Sequence, residues 1–357
     1  MIKILKKLAL LQTFFAIIVS TAAAASSAAP HAPKKASADV DMREHLFECR
    51  IPDFTVSSYS RAVSALFKAF EKESGHKIVK GKKGKVGLKV YTNSGPGIPT
   101  PPALVDAVIE QLLKRGYKRE DITIVDMSRR KLRDAGYLPR LSELHDGVKD
   151  NYKGVNVADI ESNGFFDKQW YCDNSLMPKS FRGGPAQDLY NPELRKSYLP
   201  VPLFLTVDFW INLPVVTDME GLGVCAALGN ASIWNMSNNE RFLKQPANAS
   251  MAAAEVCAIP ELRDSNIFTI LTLEQGQFVG GSLFNSRCTF TENVVFLSAN
   301  PVAIDYIAWD EINRYRRSFG FKPIDPMPVL FNYCKELKIG DWDLRNIKRR
   351  MVSFPQK

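Results

Sequence analysis

KVGLKVYTNSGPGIPTPPALVDAVIEQLLKRGYKREDITIVD, residues 85–126, is the stretch that decides the fold class. Its first part, 85–91, is a β-branched and apolar run that reads as a strand. Pro99, Pro101 and Pro102 then lead into a helix over 103–115, with Leu104, Val105, Val108, Ile109 and Leu112 recurring at helical spacing. Gly116 stops that helix, and DITIVD at 121–126 is a second strand. Strand, helix, strand in this order implies a parallel pair joined by a right-handed crossover. The expected class is therefore α/β, a mostly parallel sheet with helices on both faces.

Working outward supports the same alternation on both sides. Upstream, Ala62, Ala65, Leu66, Ala69 and Phe70 share one face of a helix over 58–73 that Gly75 is placed to end. Downstream, 138–199 breaks the pattern. It is polar and carries Phe165, Phe166, Trp170, Tyr171, Phe181 and Tyr190, so it reads as a loop-rich aromatic insertion packing over one end of the sheet. The run 203–216 then looks like one long buried strand. Helical pieces are expected over 223–229 and 247–257, and strands over 267–273 and 293–298. Asn300-Pro301 is a good cap followed by proline at the first helical position, opening a helix to about 319 that Gly320 terminates. The tail 341–350 reads as a short basic helix.

The first residues carry an export pattern. Lys3, Lys6 and Lys7 precede an apolar core from Leu8 to Val19, and 21–29 supplies small residues for cleavage. The uncharged run is shorter than the roughly 18–20 apolar residues that span a bilayer, so no stable membrane span is expected after cleavage. Residues 1–25 are read as a signal peptide, 26–40 as a flexible leader and 41–357 as a single α/β domain, placing the chain in the periplasm or outside the cell. Cleavage near Ala25 lowers the formal charge of +9 to +6. The remaining basic residues are dispersed and lack aromatic interleaving, which argues against a nucleic-acid partner. Six cysteines show no CxxC and no cluster, so no iron–sulfur centre or zinc ribbon is expected. Their even number permits disulfides without choosing a pairing.

Three glycine-bearing loops, 92–97, 218–223 and 275–282, each follow an apolar run and outline a candidate site at strand ends. Lys89 is its leading residue. It shares a strand face with Gly87 and Tyr91, where a covered sheet would force it to meet a carboxylate or an anionic ligand. Asp218, Glu220 and Asp305 are the candidate acid–base residues, and together they could hold Mg²⁺ or Ca²⁺ through oxygen ligands. Asn93, Ser94, Gly95, Asp126, Gly221, Gly223, Asn230, Glu274, Gly280 and Gly281 are the candidate ligand-binding positions. Asn285 and Asn300 lie beside the loops, Asn300 equally suited to capping. Gly221-Leu222-Gly223 is separated from its strand by 217–220, so it lacks the context of a nicotinamide-binding turn.

The chain resembles the bacterial and archaeal family called domain of unknown function 362. The resemblance is carried by KGKKGKVGLKVYTNSG, ALVDAVIEQLLKRGYKREDITIVD, VDFWINLPVVTDMEGLGVCAALGN, QGQFVGG and LSANPVAIDYIA, in that order. It covers most of the mature chain outside the aromatic insertion, and Lys89 and Asn93 match the family's strand-end Lys and Asn. Many members carry ferredoxin-like cysteine clusters, which this chain lacks, so the resemblance implies no electron-transfer role here. Many also have a Lys-Thr-His-like stretch where this chain reads Thr217-Asp218-Met219. The family has no established activity to carry over.

Two functions follow as expectations. One is an enzyme acting on a small polar or anionic substrate, with Lys89 polarising it and Asp218, Glu220 or Asp305 doing acid–base or metal work. The other is a non-catalytic module that binds a ligand or a surface through the aromatic insertion. Convergence of the carboxylates on Lys89 favours the enzyme, and scatter favours binding.

Overall fold

The computed structural model describes residues 40–161, 166–173, 196–243 and 246–356. The expected signal peptide, nearly all of the leader and, within the aromatic insertion, residues 162–165 and 174–195 lie outside these residues. The strands are β1 (His45–Arg50), β2 (Val86–Lys89), β3 (Ile122–Asp126), β4 (Asn156–Asp159), β5 (Phe166–Asp173), β6 (Lys196–Pro200) and β7 (Phe209–Asn212). They continue with β8 (Val216–Met219), β9 (Gly223–Cys225), β10 (Asn266–Thr272), β11 (Gly276–Gln277), β12 (Thr289–Phe290), β13 (Val294–Ser298) and β14 (Lys348–Met351). The helices that matter below are α1 (Val56–Ser74), α2 (Pro102–Leu113), α3 (Arg129–Asp134), α4 (Ala227–Ala231), α5 (Pro246–Cys257), α6 (Pro301–Ser318) and α7 (Val329–Glu336).

Among the described residues, eight strands form the main sheet in the order β14-β1-β13-β10-β7-β2-β3-β4. The block β10-β7-β2-β3-β4 is parallel, and β14 runs parallel to β1. β13 is antiparallel to both of its neighbours. The chain is thus α/β with a mostly parallel sheet. One face is buried under α1 and α2, where Leu66, Phe67, Leu104 and Val108 meet Leu88, Ile124 and Ile211. The other is buried under α4, α5 and α6. A small sheet, β12-β11-β8-β9, and the hairpin β5-β6 complete the strands.

Four expectations need correction. The run 203–216 is not one strand: β7 ends at Asn212, and Pro214, which has no N–H for a ladder, separates it from β8 in the small sheet. Residues 223–225 pair as β9 before any helix begins. Part of 138–199 belongs to the main sheet, since β4 pairs with β3. The tail 341–350 carries an edge strand, not a basic helix. Hydrophobicity does not place β14, whose four side chains are all exposed; charge does. Lys348 pairs with Glu44, Arg349 with the buried Glu48 and Arg350 with Glu73.

The cap at Asn300 does more than open α6. Its Oδ1 accepts the amides of Val302 (3.0 Å) and Ala303 (3.1 Å), while Nδ2 donates to the carbonyls of Arg43 and Asp341. Gly340 is needed beside it, because any Cβ there would collide with the Asn300 carboxamide. Asn300→Ala should cost about 1–3 kcal/mol, a cap plus two stranded carbonyls, read as a lowered urea midpoint with unchanged slope.

Candidate functional site

Parallel register sets Lys89 of β2 opposite Val125 of β3 and Asn212 of β7, near the middle of the sheet. The covered face makes Lys89 fully buried. Its ammonium donates to Asp126 Oδ1 (2.7 Å), the Val90 carbonyl (2.7 Å) and Asn230 Oδ1 (2.9 Å). Burial lowers the Lys89 pKa, and the Asp126 carboxylate opposes that shift. Asp126 Oδ2 accepts both the amide and the hydroxyl of Thr92 at 2.6 Å. Asn230 Nδ2 donates to Asn212 Oδ1 (2.8 Å), and Asn212 Nδ2 donates to the Ala227 carbonyl (2.8 Å). An ammonium has three protons. All three are spent inside this network, which ties the ends of β2, β3 and β7 to α4.

The other candidate carboxylates do not join it. Asp218 bonds Arg316 Nη2 (2.8 Å) and the amide of Gly281 (2.8 Å). Asp305 is fully buried and accepts the amides of Ala227 and Leu228 at the start of α4. Arg316 lies eleven residues beyond Asp305 on α6, about 16 Å along the axis, so Asp218 and Asp305 occupy different parts of the molecule. Glu220 is exposed. Among the described residues no group of three His, Cys, Asp or Glu side chains is placed to hold a metal, so the oxygen-ligand set expected from Asp218, Glu220 and Asp305 is not assembled. Glu274, at the end of β10, accepts the Tyr59 hydroxyl (2.7 Å), and burial raises its pKa.

The three glycine loops do meet. Gly281 bonds Asp218, joining the third to the second, and the ring of Phe284, two residues past the third loop, lies against Gly97 of the first. Their groups are largely engaged within the protein. Asn93 Oδ1 accepts Lys131 Nζ of α3, Ser94 Oγ bonds the Tyr91 hydroxyl (2.8 Å), and Asn285 Oδ1 accepts the Arg287 amide (3.2 Å). Gly95, Gly221, Gly223, Gly280 and Gly281 all have positive φ, which accounts for glycine in these turns. Loop 218–223 is the turn of the β8-β9 hairpin in the small sheet.

A cavity of about 320 Å³ lies instead toward the amino-terminal edge of the parallel strands. Arg43, Arg263, Asp264 and Pro301 line it, with Trp210, Asn212 and Asn266 contributed by the sheet. It adjoins the Lys89 network through Asn212. Thr269 of β10 is in register with Asn212, so the two share a sheet face. Thr269 is fully buried, and its hydroxyl has no hydrogen-bond partner among the described residues. Asn212, Thr269, Asn266 and Arg263 were not singled out from sequence. The available signal was polar residues set in apolar runs, Asn212 in FWIN and Asn266 and Thr269 in NIFTILT. The five described cysteine side chains, Cys49, Cys225, Cys257, Cys288 and Cys334, are buried free thiols. Burial pushes those of Cys225 and Cys257 up to about 12.

No family model and no curated protein matches the chain. Among solved structures it is similar to a protein from Thermotoga maritima, with a TM-score of 0.39 and 12% identity over 75% of this chain. The match spans 59% of that protein's length.

Proposed function

We propose that this chain is an exported, non-catalytic binding protein for a small polar molecule, held in the cavity beside Asn212. The observation that carries the reading is the cavity itself: about 320 Å³, the size range of small-ligand sites, with a mixed lining in which Arg43, Asn212, Arg263, Asp264 and Asn266 stand among apolar side chains. The scatter of Asp218, Glu220 and Asp305 supports binding over catalysis, because acid–base work needs groups within reach of one reacting atom. Export rests on the first residues of the sequence, and membership of the domain of unknown function 362 family on the five stretches quoted above. Among the described residues no helix is long and apolar enough to cross a membrane.

An enzymatic reading keeps one observation in its favour. Glu274 is half-buried at the carboxyl end of a central strand, its pKa is raised, and no cation pairs with it among the described residues. Raised carboxyl groups at strand ends are suited to proton transfer.

Ala299 lines the cavity and tests the first reading. Ala299→Phe should fill the space while leaving the Lys89 network intact. In thermal shift against a panel of small acids, amino acids and sugars at millimolar concentration, at least one compound should raise the wild-type midpoint and fail to raise the variant's. Equal shifts in both proteins, or none in the wild type, count against binding at this cavity.

A further inference from the structure

We infer that His45 and β14 form an acid-sensitive clasp: protonation of the buried imidazole frees β14 from the edge of the main sheet. The ring stands where α1 and β14 meet β1. It is buried and stacks on Phe47 with 6.3 Å between centroids. Neither ring nitrogen has a hydrogen-bond partner among the described residues. Nδ1 lies 3.6 Å from Glu73 Oε1, outside hydrogen-bond range yet close enough for an ion pair once the ring is charged. That same carboxylate oxygen holds Arg350 of β14 (3.2 Å).

The charges around the ring balance only while it is neutral. Parallel register sets Lys348 opposite His45 and Arg350 opposite Phe47, so both cations of β14 share the face that carries the ring. Glu73 comes from α1 and Glu44 from the turn before β1. Glu44 holds Lys348 (3.3 Å) as Glu73 holds Arg350. Asp41 also faces the ring and is paired with Arg43 (2.8 Å). On this face β13 presents the apolar Val295 and Leu297. A proton on His45 is therefore an uncompensated charge in a buried place. Burial, then Lys348 and Arg350, hold its pKa below the ordinary histidine value against Glu73 and Glu44.

The imidazolium competes with Arg350 for Glu73 Oε1 and repels both cations of β14. Release of the strand relieves both effects, because it carries Lys348 and Arg350 into water and leaves His45 with Glu73 and Glu44. With β14 gone the ring meets water, its pKa rises toward the ordinary value, and falling pH favours the released form. Little else resists. All four side chains of β14 are exposed, and Val352 and Phe354 just beyond it are only partly buried. On the opposite face Glu48 loses Arg349 but keeps Arg50 (3.4 Å). The departure leaves one edge of β1 unpaired.

Hydrogen–deuterium exchange of the chain at pH 7 and pH 5, corrected for the pH dependence of the chemical exchange rate, reads the clasp. The lower value stays above the ordinary carboxylate range. Protection of the 348–352 amides should fall about tenfold at pH 5, while β2 and β3 keep theirs. His45→Phe removes the titrating group and should hold that protection within about twofold across the two pH values. Arg350→Gln, a change at an exposed position, removes the competitor for Glu73. Its 348–352 amides should be less protected than wild type at pH 7 and lose less than about threefold more at pH 5. Equal wild-type protection at both pH values, a loss that persists in His45→Phe, a full acid response in Arg350→Gln, or a loss shared by β2 and β3 each overturns the inference.

Discussion

Lys89→Met should cost about 3–5 kcal/mol of folding stability, a large part of the roughly 5–15 kcal/mol that holds a domain together. The methionine keeps most of the stem's packing, so the loss is electrostatic in origin. Asp126 is as fully buried as Lys89, and without the ammonium its Oδ1 is a carboxylate oxygen in apolar surroundings. Asn230 Oδ1 and the Val90 carbonyl lose their donor at the same time. The damage should be local as well as global. Asp126 Oδ2 pins Thr92, so the Thr92 amide should exchange with solvent faster in the variant. Adding Asp126→Asn removes the stranded charge and should recover at least half of the loss. Urea denaturation of the three proteins checks the cycle. A single variant within about 1 kcal/mol of wild type would show that the pair is dispensable and that Lys89 is free to serve a ligand.

That result also bears on what the sequence could reveal. The parallel pair β2–β3 and the helix between them were legible because period, caps and prolines agreed over one continuous stretch. The helix from Pro301 was legible for the same reason: Asn300, Pro301 and Gly320 mark both ends. Lys89 was legible as a buried cation, since a lysine inside VGLKVY has nowhere polar to go. Its partner was not, because Asp126 lies 37 residues away and only the β2–β3 register brings the two together. β1 and β14 escaped notice for a related reason. β14 is held by ion pairs to Glu44, Glu48 and Glu73, and an exposed KRRM has no pattern that announces a strand. Pro214 was visible, yet an apolar run on both sides of it reads as one strand until the ladder is drawn. The cavity was least legible of all. Trp210 and Asn212 lie on one segment and Arg263 and Asn266 on another, and what joins them is a bulged parallel register between β7 and β10.

Asp305 makes a second large effect measurable. Burial pushes its carboxyl up to about 8, although the amides of Leu228 and Ala227 pull the other way. An ordinary aspartate titrates near 3.8. Between those values the folded chain holds a proton that the unfolded chain has released. Folding stability from this group is therefore greatest at low pH and declines as pH rises, by up to about 1.4 kcal/mol per unit until the folded pKa is passed. The buried thiols around it do not blur the window, since Cys225 and Cys257 titrate near 12 and Cys334 is also shifted up. His45, whose pKa burial lowers, contributes with the opposite sign, so the group must be isolated by difference. Asp305→Asn provides that difference, because its Oδ1 can still accept an amide of α4 while nothing there titrates. Denaturation midpoints taken at about pH 5, 7 and 8.5 should show the wild type falling relative to the variant, with the variant the more stable at the highest pH. Parallel profiles would mean that Asp305 is already ionised throughout, held by the α4 amides against the cost of its burial.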